Sequence, residues 1–452
     1  MLSISQALQR LKANVADVVP ERLIRSICDD LHLRGRQRSL TPVVTTYLFL
    51  QQVLHGNTAC SHLRHLGKLD VTDSAYCQAR QRLPVAFFHR LQRAATGACR
   101  HAEPAADAAR WHGHRVYLLD GSSFSMPDTP ELQEEFGQPG GQAAGCGFPT
   151  AHLLTLFDAH AGFLLKAVPA PLRTHDLSRA ALMHPELRPG DIVLGDRAFC
   201  SYAHLALCRQ RQLHGLFRAH QRLVVDFRPH RRHAPVRGAA PDQAGRPRSR
   251  WLKRLGRHDQ LVEYAKPKER PAWMTAAAYA ALPETLVVRE LRFPVRTPGR
   301  RTRVITLVTT LLDPRRYSAR ALAKLYGQRW QVEVDLRHLK QTLGMDVLHC
   351  QTFPGVVKEL LLFVLVYNLV RRVMQQAARR QRVSPERVSF VDALRWLRQA
   401  RPGEEVPRLR VNPARPGRAE PRVRKRRPKQ FPVMKRPREQ LRQALFTQRP
   451  AA

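Results

Sequence analysis

The chain has 452 residues, enough for two or three domains, and carries 76 Lys and Arg against 36 Asp and Glu, a formal net charge of +40. A positive charge this large, spread along the chain, predicts a polyanionic partner. Nucleic acid is favoured over an anionic membrane. Eight cysteines without a CxxC pair predict neither a disulfide framework nor a zinc site, and are typical of reduced cytosolic residues.

Residues 1–105 show helical periodicity without convincing strands, which predicts a helical DNA-binding domain. Within it, SHLRHLGKLDVTDSAYCQARQRLP has the length and turn of a helix-turn-helix. Asp73 or Ser74 is expected to cap the second helix, which displays Arg80 and Arg82 as candidate DNA contacts. An ordinary basic surface helix is the alternative.

Strands begin after about residue 115, and residues 106–221 are predicted to form the first part of the core. RVYLLDG is a short apolar strand, and HLLTLFDAHAGFLLKAVPA is two strands joined by a tight turn. DIVLGD and GLFRAH follow as strands that alternate with helices. This order predicts an α/β fold with a mixed five-stranded sheet flanked by helices. The Gly-rich segment GQPGGQAAGCGF lacks the Gly-Lys-Ser/Thr ending of a P-loop and is expected to be a loop.

Residues 222–310 interrupt that alternation and predict a β-rich basic insertion. Positions 228–257 hold ten Lys or Arg and one acid. Trp251 lies among these cations, in RPRSRWLKRLGR, an arrangement that suits stacking beside a DNA backbone. A hydrophobic anchor for the insertion is the alternative role.

The chain returns to helix at Ser318, and residues 311–400 are predicted to form the last part of the core. Its longest apolar run, from Leu360 to Val370, is far shorter than the roughly 20 residues of a membrane span, so we expect a buried helix and no membrane partner. Residues 401–452 form a tail rich in Pro and Arg that is suited to lying along phosphates.

Four residues of the segment YGQRWQVEVDLRHLK form what we call the signature stripe: Tyr326, Arg329, Glu333 and Lys340. On a helix of about 100° per residue they fall within about 60° of one another, at the edge of the apolar face. Partial burial makes the ionised form of Glu333 unfavourable unless a ligand compensates for the lost solvation. A metal ion or a phosphate cluster would be such a ligand.

Two neighbours on the same helix are expected to lie outside the stripe. Asp335 falls on the opposite side of the helical wheel and is expected to point to water. Trp330 lies about 60° from the centre of the stripe and is expected to pack against the protein.

Two further acids, Asp120 and Asp196, are each expected to end an apolar strand, at the carboxyl edge where open α/β sheets build their sites. One such Asp is commonplace as a turn or helix cap. Together with Glu333, however, the two acids make a set of hard oxygen ligands without His or Cys, suited to Mg²⁺ or Mn²⁺. Two such ions would serve phosphoryl transfer.

The other members of the signature stripe suit phosphate binding. Arg329 can hold a phosphate as a fork and Lys340 as a point charge. Tyr326 can donate a hydrogen bond to a further phosphate oxygen. We therefore expect these three residues to bind the DNA backbone beside the acids.

At these positions the sequence resembles the DDE transposases of the insertion-sequence-four type, bacterial enzymes with a ribonuclease-H-like core. Their signature Y-x2-R-x3-E-x6-K is matched in full by the signature stripe. LLDGSS resembles their first Asp motif, which assigns Asp120, and GDRAF resembles the second, which assigns Asp196. The long interval between Asp196 and Glu333 is similar to the family's β-rich insertion.

The resemblance implies a ribonuclease-H-like fold and cut-and-paste transposition, in which nicking at terminal inverted repeats precedes strand transfer by the freed 3′-hydroxyl. It implies two Mg²⁺ or Mn²⁺ ions per active site, double-stranded DNA as partner (inverted repeats and target) and a homodimer in the DNA complex. The implied location is the bacterial cytoplasm, in association with the nucleoid. Relatives trap a flipped base with a Trp of the insertion; Trp251 and Trp273 lie there but match no motif.

Two alternatives stay open. A ribonuclease-H-like nuclease would cut DNA without strand transfer, and a DNA-binding regulator derived from a transposase would be inactive. The long basic insertion and tail, able to hold a second DNA, favour transposition. The presence of all three acids argues against the regulator.

Overall fold

The structure, a computed structural model, describes the residues of these stretches: 17–33, 39–67, 70–101, 110–174, 176–234, 245–295, 303–401, 403–413 and 433–447. The middle of the predicted basic tail, residues 414–432, lies outside them, and so does part of the basic loop of the insertion.

The described residues before the first strand form helices, as predicted. The helices are α1 (Glu21–Asp30), α2 (Pro42–Leu54), α3 (Cys60–Gly67), α4 (Asp73–Arg82) and α5 (Val85–His101). Helices α3 and α4 are the two helices of the expected helix-turn-helix segment.

The cap of α4 differs from the prediction. The capping residue is Thr72 and not Asp73 or Ser74. Its Oγ1 atom accepts a hydrogen bond of 3.2 Å from the Ala75 backbone N–H. Thr72 is the residue with extended backbone, whereas Asp73 is already the first helical residue, so only Thr72 has the cap geometry.

Five strands form the predicted core sheet: β1 (Val116–Ser125), β2 (Thr150–Asp158), β3 (Leu164–Pro171), β4 (Ile192–Gly195) and β5 (His214–Arg218). Their order is β3-β2-β1-β4-β5. Strand β2 runs antiparallel to β1 and β3, whereas β4 is parallel to β1 and β5 is parallel to β4. This mixed α/β arrangement is the ribonuclease-H-like one that the family resemblance implied.

Three helices belong to the same part of the chain: α6 (Pro130–Phe136), α7 (Asp176–Ala180) and α8 (Tyr202–Gln210). Short 3₁₀ helices span Ala181–Glu186 and Arg197–Phe199. Helix α8 lies against β5 and against the first of these 3₁₀ helices.

The insertion extends the core sheet instead of forming a separate one. Its elements are β6 (Arg250–Gly256), β7 (Asp259–Ala265), α9 (Ala276–Ala280), β8 (Thr285–Val295) and β9 (Arg303–Thr309). Strand β9 pairs antiparallel with β5 and with β8, so the order continues β5-β9-β8-β7-β6. The predicted five-stranded sheet is therefore the first part of a continuous nine-stranded sheet.

Helices close the chain: α10 (Ala319–Gly327), α11 (Trp330–Arg337), a π-helical turn (His338–Thr342), α12 (Phe353–Gln381), α13 (Phe390–Gln399) and α14 (Arg438–Thr447). As predicted, Ser318 begins the series, since its hydroxyl caps α10 at the Ala321 N–H.

Helix α12 is a buried core helix that packs against α2, α5, α13 and β3. Its length and composition would suffice to cross a membrane, yet 78% of its most apolar 18-residue window is buried inside the protein. Asn368, the polar residue that interrupts the apolar run, makes hydrogen bonds to the backbone of β3. Its side chain accepts from the Leu164 N–H at 2.8 Å and donates to the Leu164 carbonyl at 2.9 Å, which joins α12 to β3. The prediction of a buried helix is confirmed.

Candidate active site

Asp120 lies in the middle of β1, not at its end as predicted. The strand continues to Ser125 because β2 pairs with it along this whole length, with Asp120 opposite Thr155. The parallel neighbour β4 is shorter, and its last pairing with β1 joins Leu194 to Leu118. Asp120 therefore still lies beyond the carboxyl end of the β1–β4 ladder.

Asp196 follows directly on β4 and caps the 3₁₀ helix Arg197–Phe199. Its Oδ1 accepts a hydrogen bond of 2.7 Å from the Ala198 N–H. Asp120 and Asp196 each lie two residues beyond the Leu118–Leu194 pair, so the register places them side by side at one edge of the sheet. The cap orients the Asp196 carboxylate.

The signature stripe is not on one continuous α-helix. Tyr326 lies in the last turn of α10, Arg329 lies at the junction before α11, Glu333 is on α11, and Lys340 is in the π-helical turn. At the junction the backbone hydrogen bonds tighten to three-residue spacing, as from the Arg329 N–H to the Tyr326 carbonyl. The helical wheel therefore does not apply across the whole segment.

Arg329 brings the stripe and the sheet together. Its guanidinium lies 2.9 Å from Oε1 of Glu333 and 3.5 Å from Oδ2 of Asp120. The Asp120 and Arg329 side chains are 18% and 19% exposed, and that of Glu333 is 40% exposed. Two of the predicted acids thus share one cation at the surface of the protein.

The charges of Asp196 and Glu333 act on the carboxyl group of Asp120. Burial raises its pKa to about 6, and the nearby charges of Asp196 and Glu333 act in the same direction, while Arg329 and the Gly121 N–H oppose the shift. A carboxylate so placed is partly protonated near neutral pH and gains from a positive ligand. Three acids and no His or Cys in this cluster fit a hard divalent cation such as Mg²⁺ or Mn²⁺.

Tyr326 lies near the same acids. Burial raises its pKa to about 12, Arg329 and Arg218 oppose the shift, and the charges of Asp196 and Asp120 add to it. The phenol therefore keeps its proton at neutral pH and is available as a hydrogen-bond donor.

Lys340 lies seven residues beyond Glu333, about two helical turns further along the chain. Burial lowers its pKa, and Asp346 opposes that effect. The structure thus brings Asp120, Asp196, Tyr326, Arg329 and Glu333 to one site and leaves Lys340 at its margin.

Two expectations about the neighbours of Glu333 are wrong. Asp335 is fully buried instead of pointing to water, and its Oδ1 lies 3.8 Å from Nη1 of the buried Arg371 on α12. Trp330 is 54% exposed instead of packed. Both positions follow from α11 itself, since Asp335 lies three residues after the buried Val332 on the same face, whereas Trp330 lies on the opposite side of the helix.

Arg218 is a site residue that sequence reasoning missed. It ends β5, and the register pairs Phe217 with Gly195, so Arg218 comes opposite Asp196. The signal was present in GLFRAH, since a charged residue at the carboxyl end of a parallel strand lies at the same edge as the two Asp residues.

The candidate DNA contacts outside this site differ in exposure. Arg82 at the end of α4 is exposed. Arg80 faces the protein, donates to Gln52 Oε1 at 3.2 Å and lies 4.7 Å from the Phe49 ring centroid. Trp251 is partly buried on β6, with its ring centroid 4.4 Å from that of His230.

Comparison with known proteins is consistent with this site. The family model described as a transposase DDE domain matches residues 111–369, which include Asp120, Asp196 and Glu333. The chain is 24% identical over 327 residues to "Transposase InsG for insertion sequence element IS4" of Escherichia coli (strain K12), covering 72% of this chain and 66% of that protein. It is 32% identical over 142 residues to "Putative transposase InsZ" of the same organism, covering 30% of this chain and 46% of that one.

A third similar protein is "Probable transposase for insertion sequence element IS5377" of Geobacillus stearothermophilus, 36% identical over 89 residues, with 20% of this chain and 23% of that protein covered. The chain thus spans less than two thirds of the length of these relatives. A solved structure of the piggyBac transposase synaptic complex with hairpin DNA is similar at 11% identity and a TM-score of 0.42, covering 87% of this chain and 79% of that one. The family match extends over more than half of the sequence, and the chain belongs to the transposase DDE domain family.

Proposed function

We propose that this protein is a DNA transposase that moves an insertion sequence by cut-and-paste transposition. The observation that carries the proposal is the meeting of Asp120, Asp196 and Glu333 beside a cationic, phosphate-binding set at one edge of the sheet. The family match and a net charge of +40 support it. Relatives that are named as transposases of insertion sequence elements support it further.

The three acids would hold Mg²⁺ or Mn²⁺, two ions per active site. When bound, the ions activate the attacking oxygen and stabilise the leaving oxygen of phosphoryl transfer. The sheet holds Asp120 and Asp196 on a rigid edge, and the Asp196 cap limits the rotation of its carboxylate. Helix α11 contacts β1 and carries Glu333 with 40% of its side chain exposed, so that DNA would reach it.

Arg329 has two roles in this proposal. Without DNA it pairs with Asp120 and Glu333, 3.5 Å and 2.9 Å away, and reduces the repulsion between them. With DNA it would turn to a phosphate, which its guanidinium binds as a fork. Tyr326 would donate its phenolic proton to a phosphate oxygen, and Lys340 at the margin would bind the backbone further along.

The remaining parts of the chain would hold the DNA. Arg82 on α4 would contact the terminal inverted repeat, and the basic insertion with Trp251 and the basic tail would bind the flanking or target DNA. Cleavage at two ends calls for two active sites, so we propose that a homodimer forms in the DNA complex. The reaction is nicking at the inverted repeats followed by attack of the freed 3′-hydroxyl on target DNA.

A strand-transfer assay tests the proposal and separates it from its alternatives. The purified protein is given a pre-cleaved duplex ending in the inverted repeat that flanks its gene, a supercoiled target plasmid and Mg²⁺. Transposition predicts joined product that is lost in Glu333→Gln. Nicked but never joined plasmid would show a nuclease without strand transfer. DNA binding without cleavage under any divalent metal would show an inactive regulator.

A further inference from the structure

A second cluster of metal-binding side chains lies away from the acids. His184, His204 and Cys208 are 2%, 0% and 0% exposed, and their ligand atoms all lie within 4.8 Å of one another. Nε2 of His184 is 3.1 Å from Nε2 of His204 and 3.9 Å from Sγ of Cys208. Nothing in the proposed DNA chemistry uses these three residues.

Two elements supply the cluster. His184 comes from the 3₁₀ helix Ala181–Glu186, whereas His204 and Cys208 are four residues apart on α8 and so project from the same face of that helix. Helix α8 and the 3₁₀ helix lie against each other, and the cluster is at their contact.

A hydrogen bond to the backbone fixes the tautomer of His204 and therefore which ring nitrogen carries the lone pair. Its Nδ1 lies 2.9 Å from the Phe199 carbonyl oxygen, which can only accept, so Nδ1 carries the proton and Nε2 is an unprotonated donor atom for a metal. That lone pair faces Nε2 of His184. The His184 ring has a buried Nδ1 that makes no hydrogen bond within the described part of the chain.

We propose that His184, His204 and Cys208 form a structural metal site for a thiophilic transition ion, Zn²⁺ first and Cu⁺ second. On a tetrahedral zinc, with Zn–N of about 2.0 Å and Zn–S of about 2.3 Å, two nitrogens lie about 3.3 Å apart and a nitrogen and a sulfur about 3.5 Å apart. The observed separations of 3.1 Å and 3.9 Å are within a few tenths of an ångström of these values. Two imidazoles and a thiolate suit Zn²⁺ and Cu⁺ and not Mg²⁺.

Metal binding requires neutral imidazole rings on His184 and His204 and a thiolate on Cys208, whose thiol proton passes to solvent when the metal–sulfur bond forms. No electron is transferred.

The site has a connection to the candidate active site. The Phe199 carbonyl that orients His204 ends the 3₁₀ helix Arg197–Phe199, and Asp196 caps the beginning of that same helix. Holding His204 therefore holds the segment that positions Asp196. This makes His184, His204 and Cys208 positioning residues, in contrast to the sequence expectation that the cysteines form no zinc site.

The test is metal analysis of the full-length protein, purified without added metal and dialysed. We expect about one equivalent of Zn or Cu per chain, with sulfur and nitrogen scatterers in X-ray absorption at that metal's edge. Cobalt-loaded protein should show a thiolate-to-cobalt charge-transfer band. Cys208→Ser should lower the bound metal at least tenfold and abolish the band, whereas Cys200→Ser, which changes another buried cysteine nearby, should leave both.

Spectroscopy of the parent protein keeps the test decisive if Cys208→Ser fails to fold. If Cys208→Ser yields no folded protein, ligation of a stoichiometric metal by sulfur and nitrogen in the parent supports the site. Parent protein that binds no zinc, copper or cobalt through sulfur overturns it, and His184 and His204 would then share a simple N–H···N hydrogen bond. Metal retained with sulfur ligation in a folded Cys208→Ser protein overturns it equally.

Discussion

The guanidinium of Arg329 lies 3.5 Å from a carboxylate oxygen of Asp120 and so links the helical signature stripe to the central strand β1. These two residues are far apart in the sequence and are joined only by the fold. The positive charge of Arg329 offsets part of the negative charge that the three acids accumulate. The negative charge of the acids is therefore compensated by the Arg329 guanidinium, a role that the proposed divalent ions would take over when they bind.

The first prediction concerns pH. Burial raises the pKa of Asp120 to about 6 from its ordinary value of 3.8, so the folded state holds this proton more tightly than the unfolded state. The destabilising contribution of Asp120 to the free energy of unfolding is absent below about pH 4. It grows as the pH rises from about 4 to 6 and stays constant above that range. Asp120→Asn removes the titration. We expect the variant to be more stable than the parent by on the order of 1 to 3 kcal/mol at pH 8 and equal to it near pH 4.

Urea unfolding of both proteins without divalent metal, at the two pH values, measures this difference. Glu135→Gln, which changes an exposed acid on α6, is the control and should show no such pH dependence. Equal stability of Asp120→Asn and the parent at pH 8 would contradict the electrostatic description of the site.

The second prediction separates two acids of α11. Asp335→Asn leaves the fully buried Arg371 without its carboxylate, and we expect a loss of about 3 kcal/mol in the free energy of unfolding. Glu333→Gln changes a partly exposed acid and should cost less than about 1 kcal/mol. Chemical denaturation of the two variants gives the comparison. A stable Asp335→Asn protein would show that the ion pair with Arg371 contributes little.

The third prediction separates two arginines of α4. Arg82→Ala should weaken DNA binding and reduce the slope of log affinity against log salt by about 0.9, with stability unchanged. Arg80→Ala should lower stability by about 1 to 2 kcal/mol, because the side chain lies over Phe49 and donates to Gln52. Fluorescence anisotropy over a range of salt concentrations and thermal unfolding test the two effects. An unchanged salt slope in Arg82→Ala would remove this helix from the DNA interface.

Local sequence signals predicted much of the fold. Alternation of apolar residues gave the core strands, Ser318 marked the start of α10, and the apolar run around Asn368 gave the buried helix α12. The acids Asp120 and Asp196 were placed at the correct edge because parallel strands align their carboxyl ends.

The errors arose where tertiary structure overrides local periodicity. Asp335 shares the buried face of α11 with Val332 and pairs there with Arg371, a partner on a distant segment that local periodicity does not reveal. The pairing of β9 with β5 depends on contacts between distant segments, so the fusion of insertion and core had no local signal. The approach of His184 to Cys208 likewise exists only after β4 and α8 have folded.

The proposed site of metal-dependent DNA cleavage consists of Asp120, Asp196 and Glu333 acting together. Single-turnover nicking of a duplex carrying the terminal inverted repeat, at pH 8 with Mg²⁺, tests it on Asp120→Asn, Asp196→Asn and Glu333→Gln, with Glu135→Gln as control. We predict that each of the three loses about a thousandfold or more in rate, while DNA affinity stays within a few-fold of the parent. A parent-like nicking rate in any one of the three would contradict this proposal.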